Sequence, residues 1–478
     1  MESYQQGYCT ALPYVQHYHR ELSPSFLNFI CTLNNVQAPA LETQAFRYCD
    51  LGCGYANSLL FSAASFPKAK FYGIDFMAEH IESADALRTQ AGIDNLELIH
   101  DDFVDCKKFN FERFDYIVMH GLYSWVSETV LKKIHAFIRR FLKPTGLVYI
   151  GYNAAPGWDS LRSIRELLLQ ADGASYQEKI KTSQRLLKKL QSNQAQIFSD
   201  HPLLAYQLDS LTEENLHYLV HEYYHQDWQC FYVTQMIERM KALKLAYAGS
   251  ATLINNFDQF QFSKSQVSLI QQQKTPALQE LMRDYLLNTR FRCDIYLKKV
   301  QKLSDWQKLE NLMASRFSLL VTPDQTKKQI SVFKGIIQIP ELVNKVTEKL
   351  VVRAKTLSEL RGEINEPVQN ILQVLLLLLM SYQVALTSVR PSKTLKKLNR
   401  LLCEQALESG LSHLGLAGAS IPISAEEQWL LSQNSSLDEA ILADQLIKNK
   451  KSDKMAVKER IRLFNQNKRN FLLDLELL

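Results

Sequence analysis

The residues best suited to hold a ligand are those of a short glycine-containing loop and an acidic residue that follows the loop in the sequence. The loop contains Asp50, Gly52, Cys53 and Gly54. Glycine lets the backbone approach a ligand closely, and a helix that begins after the loop offers unpaired N–H groups and a positive dipole. Asp75, followed by Phe76, ends the next apolar run. At such a position a carboxylate accepts hydrogen bonds from both hydroxyls of a ribose.

The loop chemistry favours a cationic nucleoside. A dinucleotide site would place a third glycine at position 57, where this chain has Asn57, and the Lys-Ser/Thr pair of a phosphate-binding loop is missing. Asp50 disfavours a pyrophosphate and favours a positive charge. S-adenosylmethionine carries a sulfonium and an ammonium group, and we therefore predict it as the cofactor.

A further pair of residues, Asp102 and Phe103, follows the third apolar run. We predict that the Asp102 carboxylate accepts from the adenine amino group and that Phe103 packs on the ring. The alternative is a helix N-cap followed by a core residue.

A zinc-protease pattern is also present. His221, Glu222 and His225 satisfy H-E-x-x-H, which on a helix places both histidines on one face. A zinc site needs a third ligand, and the next acids, Asp227 and Glu238, lie at neither of the usual spacings. We predict no metal site.

The elements that position these residues are short apolar runs alternating with helical stretches. The predicted strands cover residues 46–51, 70–75, 96–100, 114–120 and 146–152. Residues 128–143 between the last two have apolar side chains at helical spacing. This alternation predicts an α/β fold with a parallel, class I (Rossmann-like) sheet, in which the glycine loop lies at the end of the first strand.

The remainder of the chain reads as mainly helical. A helical insertion over about 160–226 is expected to overhang the ligand site, and the sheet is expected to resume within 245–254. Two short runs, 318–321 and 329–333, are expected to form a β pair before three helices, in a winged-helix-like arrangement that packs rather than binds DNA. The predicted domains are an N-terminal helical arm at 1–45, the class I domain at 46–260, a helical middle or regulatory region at 261–315 and a mainly helical, winged-helix-like region at 316–478.

Composition excludes several classes. The 478 residues are 46% hydrophobic and 22% charged, which excludes a disordered chain, and the net charge of +5 is too small to indicate a nucleic-acid partner. Eight cysteines without a C-x-x-C pair favour a reduced cytoplasmic protein. The longest apolar run, 374–380, is too short for a membrane span, and the N-terminus lacks the features of a signal peptide. Export by a specialised system stays open.

Several ordered blocks give the sequence a specific resemblance. Residues 114–126 (FDYIVMHGLYSWV) and 151–158 (GYNAAPGW) resemble signatures of the rickettsia-type protein lysine methyltransferases. Residues 221–223 (HEY) and 283–292 (RDYLLNTRFR) resemble blocks of the methyltransferase regulatory region of that family. The glycine loop departs from the family pattern at Ala56, Asn57 and Ser58. The resemblance implies a class I S-adenosylmethionine enzyme that methylates lysines of a protein substrate.

Methyl transfer to lysine requires an amine that is unprotonated, desolvated and in line with the sulfonium–methyl bond. Because a lysine amine has a pKa of about 10.4 in water, burial in an aromatic pocket would favour its neutral form. The candidate pocket residues are Tyr123, Trp125, Tyr152, Asn153 and Trp158, with His120 as general base and cofactor contact. The two tryptophans are equally compatible with a core position, as is His120 with a core or loop position.

The predicted function is thus S-adenosylmethionine-dependent methylation of lysines on a protein with accessible lysines. Two alternatives stay open: a methyltransferase of the same fold acting on a small molecule or other non-lysine acceptor, and a non-catalytic cofactor-binding interaction protein. A homodimer is compatible with either, and neither a nucleic-acid partner nor a membrane span is expected.

Overall fold

The computed structural model describes most of the chain, namely residues 4–5, 8–9, 16–41, 45–102, 106–173, 175–200, 223–225, 227–388, 391–433, 439–447 and 454–478. Its centre is a seven-stranded sheet. The strands are β1 (Arg47–Leu51), β2 (Lys70–Asp75), β3 (Leu96–His100), β4 (Phe114–Met119), β5 (Leu142–Asn153), β6 (Ala246–Ser250) and β7 (Phe291–Leu297).

The strand order is β3-β2-β1-β4-β5-β7-β6. Strands β1 to β5 are parallel, and β7 lies antiparallel between β5 and β6. The chain steps outward from β1 to β3 and then returns to the other side of β1 with β4. This arrangement confirms the prediction of a class I, Rossmann-like sheet.

Helices cover both faces of the sheet. Those up to β6 are α1 (Pro24–Leu33), α2 (Asn57–Ser65), α3 (Ala78–Ala91), α4 (Glu128–Phe141), α5 (Ala155–Leu169), α6 (Tyr176–Ser192), α7 (Gln196–Asp200) and α8 (Val233–Lys241). The helix α4 shows why the sequence folds this way. The Ser127 side chain accepts a hydrogen bond from the Val130 N–H and caps the helix, and all six apolar residues at helical spacing are buried.

The predicted boundary at residue 260 is wrong, because the sheet is completed only by β7. Between β6 and β7 lie α9 (Asp258–Gln261), α10 (Lys264–Gln271) and α11 (Pro276–Leu287). The strand β7 was predicted as part of a helical region because Arg292 and Asp294 interrupt its apolar pattern. Both are buried, and they pair with each other. The sheet resumes within the predicted range 245–254 as β6, which ends at Ser250, and a 3₁₀ turn at Leu253–Asn256 follows it.

The remaining C-terminal region is helical with small sheets. Its helices are α12 (Asp305–Ala314), α13 (Leu342–Leu350), α14 (Leu357–Glu363), α15 (Val368–Met380), α16 (Lys393–Glu404), α17 (Ala406–Ser409), α18 (Ala425–Ser432), α19 (Glu439–Ile447), α20 (Lys454–Asn467) and α21 (Arg469–Asp474). Its strands are β8 (Arg316–Leu319), β9 (Gln329–Val332), β10 (Gly335–Gln338), β11 (Lys355–Thr356), β12 (Val384–Thr387), β13 (His413–Leu416) and β14 (Ala419–Pro422).

The predicted pairing of the two short runs is wrong. Strand β8 lies between β11 and β12 in a three-stranded sheet, whereas β9 pairs with β10 in a separate hairpin. The three helices α13, α14 and α15 follow as expected. The apolar α15 is 13 residues long and buried within the protein, and no helix in the described ranges could cross a membrane.

One continuous core joins the C-terminal region to the sheet. It includes residues of β1, α2 and β5 together with residues of α15, α16 and β13. The helix α16 packs against α2 and α3. The C-terminal region therefore supports the helix that begins directly after the glycine loop.

Candidate active site

The candidate site lies where the strand order reverses, between the carboxyl ends of β1 and β4. Open α/β sheets bind ligands at this switch point. A cavity of about 420 Å³ opens there. Its wall contains the loops after β1, β2 and β4, the end of β5, part of α5 and the start of β7. A segment at residues 16–22, which precedes α1, completes the wall.

The glycine loop has the backbone conformation that its sequence predicts. Gly52 has φ +74°, and its N–H donates to the Ile74 carbonyl over 2.8 Å, which anchors the loop to β2. Gly54 has φ +52°, and a Cβ there would meet no atom within 4 Å. Ala56 also takes a left-handed conformation, directly before α2. The loop thus presents open backbone to the cavity beside a helix N-terminus.

Asp75 fixes this loop to the start of α3. Its carboxylate accepts the N–H of Gly54 over 2.8 Å and the N–H of Met77 over 2.9 Å. The residue is 6% exposed and lies in the cavity wall with Phe76. A carboxylate has about four acceptor positions, so two bonded N–H groups leave capacity for ribose hydroxyls.

Asp50 gives the cavity its electrostatic character. It is 4% exposed, and among the described residues no cation forms an ion pair with it. Burial, followed by repulsion from Asp75, raises the pKa of Asp50 to about 8. A buried carboxyl in this state is stabilised in its ionised form by a cationic ligand. The ammonium and sulfonium groups of S-adenosylmethionine meet that need, and the predicted cofactor fits the residues present.

Of the two residues proposed for adenine contact, the structure describes only Asp102. Asp102 lies outside the cavity wall, and its N–H donates to the Asp101 carboxylate over 2.7 Å. Phe103 lies outside the described residues. The adenine role of this pair stays a prediction.

Aromatic residues from three segments form a second part of the cavity wall, here called the aromatic half. Trp125 and Trp158 lie in the wall, as predicted from sequence, and Tyr223 and His225 join them. The Trp125 ring lies 5.2 Å from the His225 ring, and Trp158 lies 6.0 Å from Tyr223, both edge to face. Their apolar ring faces would limit the access of water to a ligand bound there.

Asn153 lies in the same wall and has an unsatisfied donor. It is 3% exposed, and its side-chain Nδ2 has no hydrogen-bond partner. Its main chain is held firmly, because the Asn153 N–H donates to the Ser124 hydroxyl over 2.8 Å and its carbonyl accepts from Phe231. A rigid, unpaired amide at the cavity is suited to orient a polar group of a ligand.

Tyr123 and Tyr152 do not reach the cavity, contrary to our expectation. Both are fully buried in the core. The Tyr123 hydroxyl is 2.8 Å from His135 Nε2, and the Tyr152 hydroxyl donates to Asp294 over 2.7 Å. Neighbouring residues of a strand point to opposite faces, so Asn153 faces the cavity and Tyr152 faces the core.

His120 lies in the cavity wall at the end of β4, and its ring packs against that of His19, which was not predicted from the sequence. Its Nδ1 is 2.7 Å from the Tyr149 hydroxyl, and its ring centre is 3.9 Å from that of His19. Burial, and then repulsion from His19 and His17, holds the pKa of His120 well below its usual range. His120 is therefore neutral at neutral pH.

The segment around His19 was missed by sequence reasoning. Gln16, His17, His19 and Leu22 all lie in the cavity wall. The His19 N–H donates to the Ser58 hydroxyl over 2.9 Å, and the Asn57 amide lies 3.4 Å from Gln16 Oε1. Asn57 and Ser58 are two of the positions where the loop departs from the family pattern. The departure from the family pattern at these two positions is the one feature of the sequence that could have indicated that another segment contacts the start of α2.

The cavity wall also contains Arg290 and Phe291, at the start of β7. This placement brings two of the sequence blocks together. The Ala154 N–H donates to the Arg290 carbonyl over 2.8 Å, and the Gly157 N–H donates to the Thr289 carbonyl over 3.0 Å. A Cβ at Gly157 would lie 2.6 Å from that carbonyl oxygen, so only glycine fits there.

Of the three residues of the zinc-protease pattern, the structure describes only His225. His221 and Glu222 lie outside the described residues, and His225 lies in the cavity wall beside Trp125. In the described part of the chain, no group of three or more His, Cys, Asp or Glu side chains is arranged to hold a metal ion.

Comparisons with known proteins agree with this geometry. Residues 42–229 match the family model of a methyltransferase domain, and residues 215–298 match that of a "predicted methyltransferase regulatory domain". An uncharacterized protein of Synechocystis, sll1526, is 32% identical over 365 residues, which cover 76% of this chain and 72% of that protein. The uncharacterized protein RP789 of Rickettsia prowazekii is 25% identical over 67% of this chain and 58% of its own length.

A solved structure shows the same fold over almost the whole chain. PKMT2 from Rickettsia typhi, in complex with AdoHcy, has a TM-score of 0.69 with 20% sequence identity, covering 98% of this chain and 99% of that chain. The fold and the cavity define a class I methyltransferase whose cofactor is S-adenosylmethionine.

Within that class, the chain belongs to the family that includes the Synechocystis protein, and it carries both a methyltransferase domain and a methyltransferase regulatory domain. The predicted resemblance is confirmed for the fold and for the two domains.

Proposed function

We propose that this methyltransferase transfers methyl groups to lysine side chains of a protein substrate. The observation that carries the proposal is the aromatic half of the cavity wall, formed by Trp125, Trp158 and Tyr223. The resemblance of the sequence blocks to the rickettsia-type protein lysine methyltransferases and the fold shared with PKMT2 support the same acceptor.

The cofactor half of the cavity would bind and orient S-adenosylmethionine. Asp50 would stabilise its positive charge, Asp75 would accept from the ribose, and the open backbone at Gly54 would allow close approach. When bound, the cofactor supplies an electrophilic methyl group on sulfur. The protein has only to hold that group in place and to exclude water from it.

The aromatic half would prepare the acceptor amine. A lysine that enters a wall of indole and phenol rings loses its hydration, which favours the neutral amine over the ammonium ion. The Asn153 side-chain carbonyl would orient that amine by accepting a hydrogen bond from one of its N–H groups, which leaves the nitrogen lone pair free to attack. Attack of the nitrogen lone pair breaks the sulfur–methyl bond and forms the nitrogen–methyl bond, and the product ammonium then releases a proton.

His120 is placed to influence this step without carrying a charge. Its lowered pKa keeps it neutral, so it does not repel a cationic acceptor or cofactor. With Nδ1 engaged by Tyr149, the imidazole is held in one orientation. We therefore propose His120 as a wall residue that faces the reacting groups in its neutral form.

The proposal is tested with tritiated S-adenosylmethionine and lysate proteins. We expect label in protein, and recovery of methylated lysine after acid hydrolysis. A matched lysate in which lysines have been chemically acetylated should accept no label. Label that persists on acetylated proteins, or that appears only in small molecules, would contradict a lysine acceptor. Cofactor binding with no transfer to either fraction would indicate a non-catalytic binding protein.

We further propose a reduced, cytoplasmic setting for the reaction. Seven described cysteines are free, and none of them forms a disulfide. A protein with accessible lysines is the proposed partner. Light scattering of the purified chain tests whether it acts as a homodimer.

A further inference from the structure

A second cavity lies on the other side of the residue 16–22 segment from the cofactor site. Its volume is about 420 Å³, equal to that of the cofactor cavity. Most of its wall is apolar and comes from α1, α15, β12 and β14. The apolar wall residues are Phe26, Leu320, Leu379, Val384, Ala385, Leu386, Ala419 and Pro422. A hollow of this size at a boundary between regions, lined by apolar groups and a few polar ones, is typical of a small-molecule site.

The charged residues of the wall are already neutralised. Arg20 and Glu21 pair with each other over 3.3 Å. The Arg20 guanidinium also stacks on the Tyr382 ring at 3.6 Å and donates to the Leu379 carbonyl over 2.6 Å. A charged ligand would find no unpaired counter-charge among the wall residues, so the cavity suits a neutral molecule.

Tyr18 supplies one specific polar contact. Its hydroxyl is buried beside Ser420 of the same wall, and it forms no hydrogen bond of regular geometry. Burial raises the pKa of this hydroxyl, so it keeps its proton and can donate. The ring of His413 lies 5.5 Å from the Tyr18 ring, and burial lowers the pKa of His413 to about 4, so its imidazole is neutral. A ligand with a hydrogen-bond acceptor would satisfy Tyr18.

His19 connects the second cavity to the cofactor cavity, because it lies in the wall of both. On the cofactor side its ring packs on His120 with centres 3.9 Å apart, and its N–H is held by Ser58 at the start of α2. A molecule that presses on His19 from the second cavity therefore acts on a wall of the cofactor site.

We propose that the second cavity binds a neutral, mainly apolar small molecule with a hydrogen-bond acceptor for Tyr18, and that this binding changes the affinity for the cofactor through His19. The inference requires the cofactor site only and is independent of the acceptor that receives the methyl group.

The test uses Nile red, a neutral apolar dye with one carbonyl acceptor, on the full-length protein. We expect saturable binding of one dye per chain. Tyr18→Phe should weaken it several-fold, because the hydroxyl donor is lost. Ala385→Leu should abolish it by filling the cavity. Tyr285→Phe, which removes a hydroxyl from an exposed residue outside this wall, should bind the dye as the wild type does.

Coupling is measured by titrating AdoHcy with and without saturating dye. We expect the AdoHcy affinity to change at least threefold in the wild type and not in Ala385→Leu. Intact AdoHcy binding shows that Ala385→Leu is folded. If Ala385→Leu does not fold, Ala419→Leu replaces it, because that substitution fills the same cavity from another strand. Dye binding that is absent, that persists in both filled variants, or that leaves the AdoHcy affinity unchanged would overturn the proposal. None of these outcomes depends on lysine methylation.

Discussion

Asp50, the penultimate residue of β1, has a buried carboxyl with no cationic partner among the described residues, and this has a measurable consequence. With its pKa raised to about 8, Asp50 is largely protonated at pH 7 before the cofactor binds. A bound cation favours the ionised form, so we expect binding of S-adenosylmethionine to release up to one proton. Calorimetry in buffers of different ionisation enthalpy measures this release, and Asp50→Asn should abolish it and weaken binding.

The same residue should limit stability in the absence of cofactor. The folded pKa lies above the unfolded value of about 3.9, so the folded state binds more protons and stability falls as the pH rises from about 4 to 8. Asp50→Asn removes this loss. Its melting temperature should exceed that of the wild type at pH 8 and approach it near pH 4. An equal difference at both pH values would argue against a raised pKa.

The two classes of aromatic residue at the end of β4 should respond differently to substitution. Trp125→Ala opens the aromatic half of the cavity to water, and we expect a loss of about a hundredfold in the single-turnover methylation rate with little change in AdoHcy affinity. Tyr123→Phe removes a buried hydroxyl that bonds to His135 and also contacts Arg239, and each such hydrogen bond is worth about 1 kcal/mol of unfolding free energy. It should keep its saturated rate. A rate lost in Tyr123→Phe and kept in Trp125→Ala would reverse our placement of the acceptor.

These residues also show what the sequence could predict about the site. The residues on the glycine loop and at the ends of β1 and β2 were predictable, because loop conformation and strand ends fix them to the switch point. It was not predictable that Asn153 would face the cavity and Tyr152 the core, because a one-residue change of strand register exchanges the faces on which the two side chains lie. His19 and Phe291 were not found because they reach the site from distant segments, and no local pattern indicates that.

At the scale of elements, β7 is held in the sheet by a buried charge network. Arg292 is 3% exposed and pairs with Asp284 over 2.7 Å, Asp294 over 2.9 Å and Glu280 over 2.8 Å. Burial raises the pKa of Asp284 to about 6 although Arg292 opposes the shift. The buried polar residues of this strand are stabilised by pairing with one another, so apolar residues are not needed at those positions. The strand therefore lacks the alternating apolar pattern that would identify it in the sequence, and the sequence analysis placed it in a helical region.

Removing the arginine should leave buried carboxylates without a cation. We expect Arg292→Met to lose about 3–5 kcal/mol of unfolding free energy at pH 7. Part of the loss should be recovered near pH 5, because the carboxylates then bind protons in the folded state. Arg239→Met is the matched control, since Arg239 pairs with the half-exposed Glu128 and such pairs contribute about 1 kcal/mol or less. Urea unfolding at both pH values measures the difference, and similar losses in the two variants would contradict a structural network.

At the scale of the whole molecule, the C-terminal region and the methyltransferase sheet share one core, and Gly415 lies at a tight contact between them. A Cβ on Gly415 in β13 would lie 2.5 Å from Leu395 Cδ1 of α16 and 3.0 Å from Phe61 Cδ1 of α2. The helix α2 begins directly after the glycine loop. Packing at this glycine therefore connects the C-terminal region to the element that positions the cofactor loop.

Gly415→Ala should overpack this contact and destabilise the protein by about 1–3 kcal/mol, because three packed elements must move apart to admit one methyl group. Gly362→Ala is the matched control. Gly362 lies in α14, and a Cβ there would meet no atom within 4 Å, so the same substitution should be neutral or slightly stabilising. Urea midpoints and hydrogen exchange of α2 distinguish the two. Faster exchange in α2 for Gly415→Ala alone is expected, and an unchanged α2 in a destabilised variant would show that the two regions unfold independently.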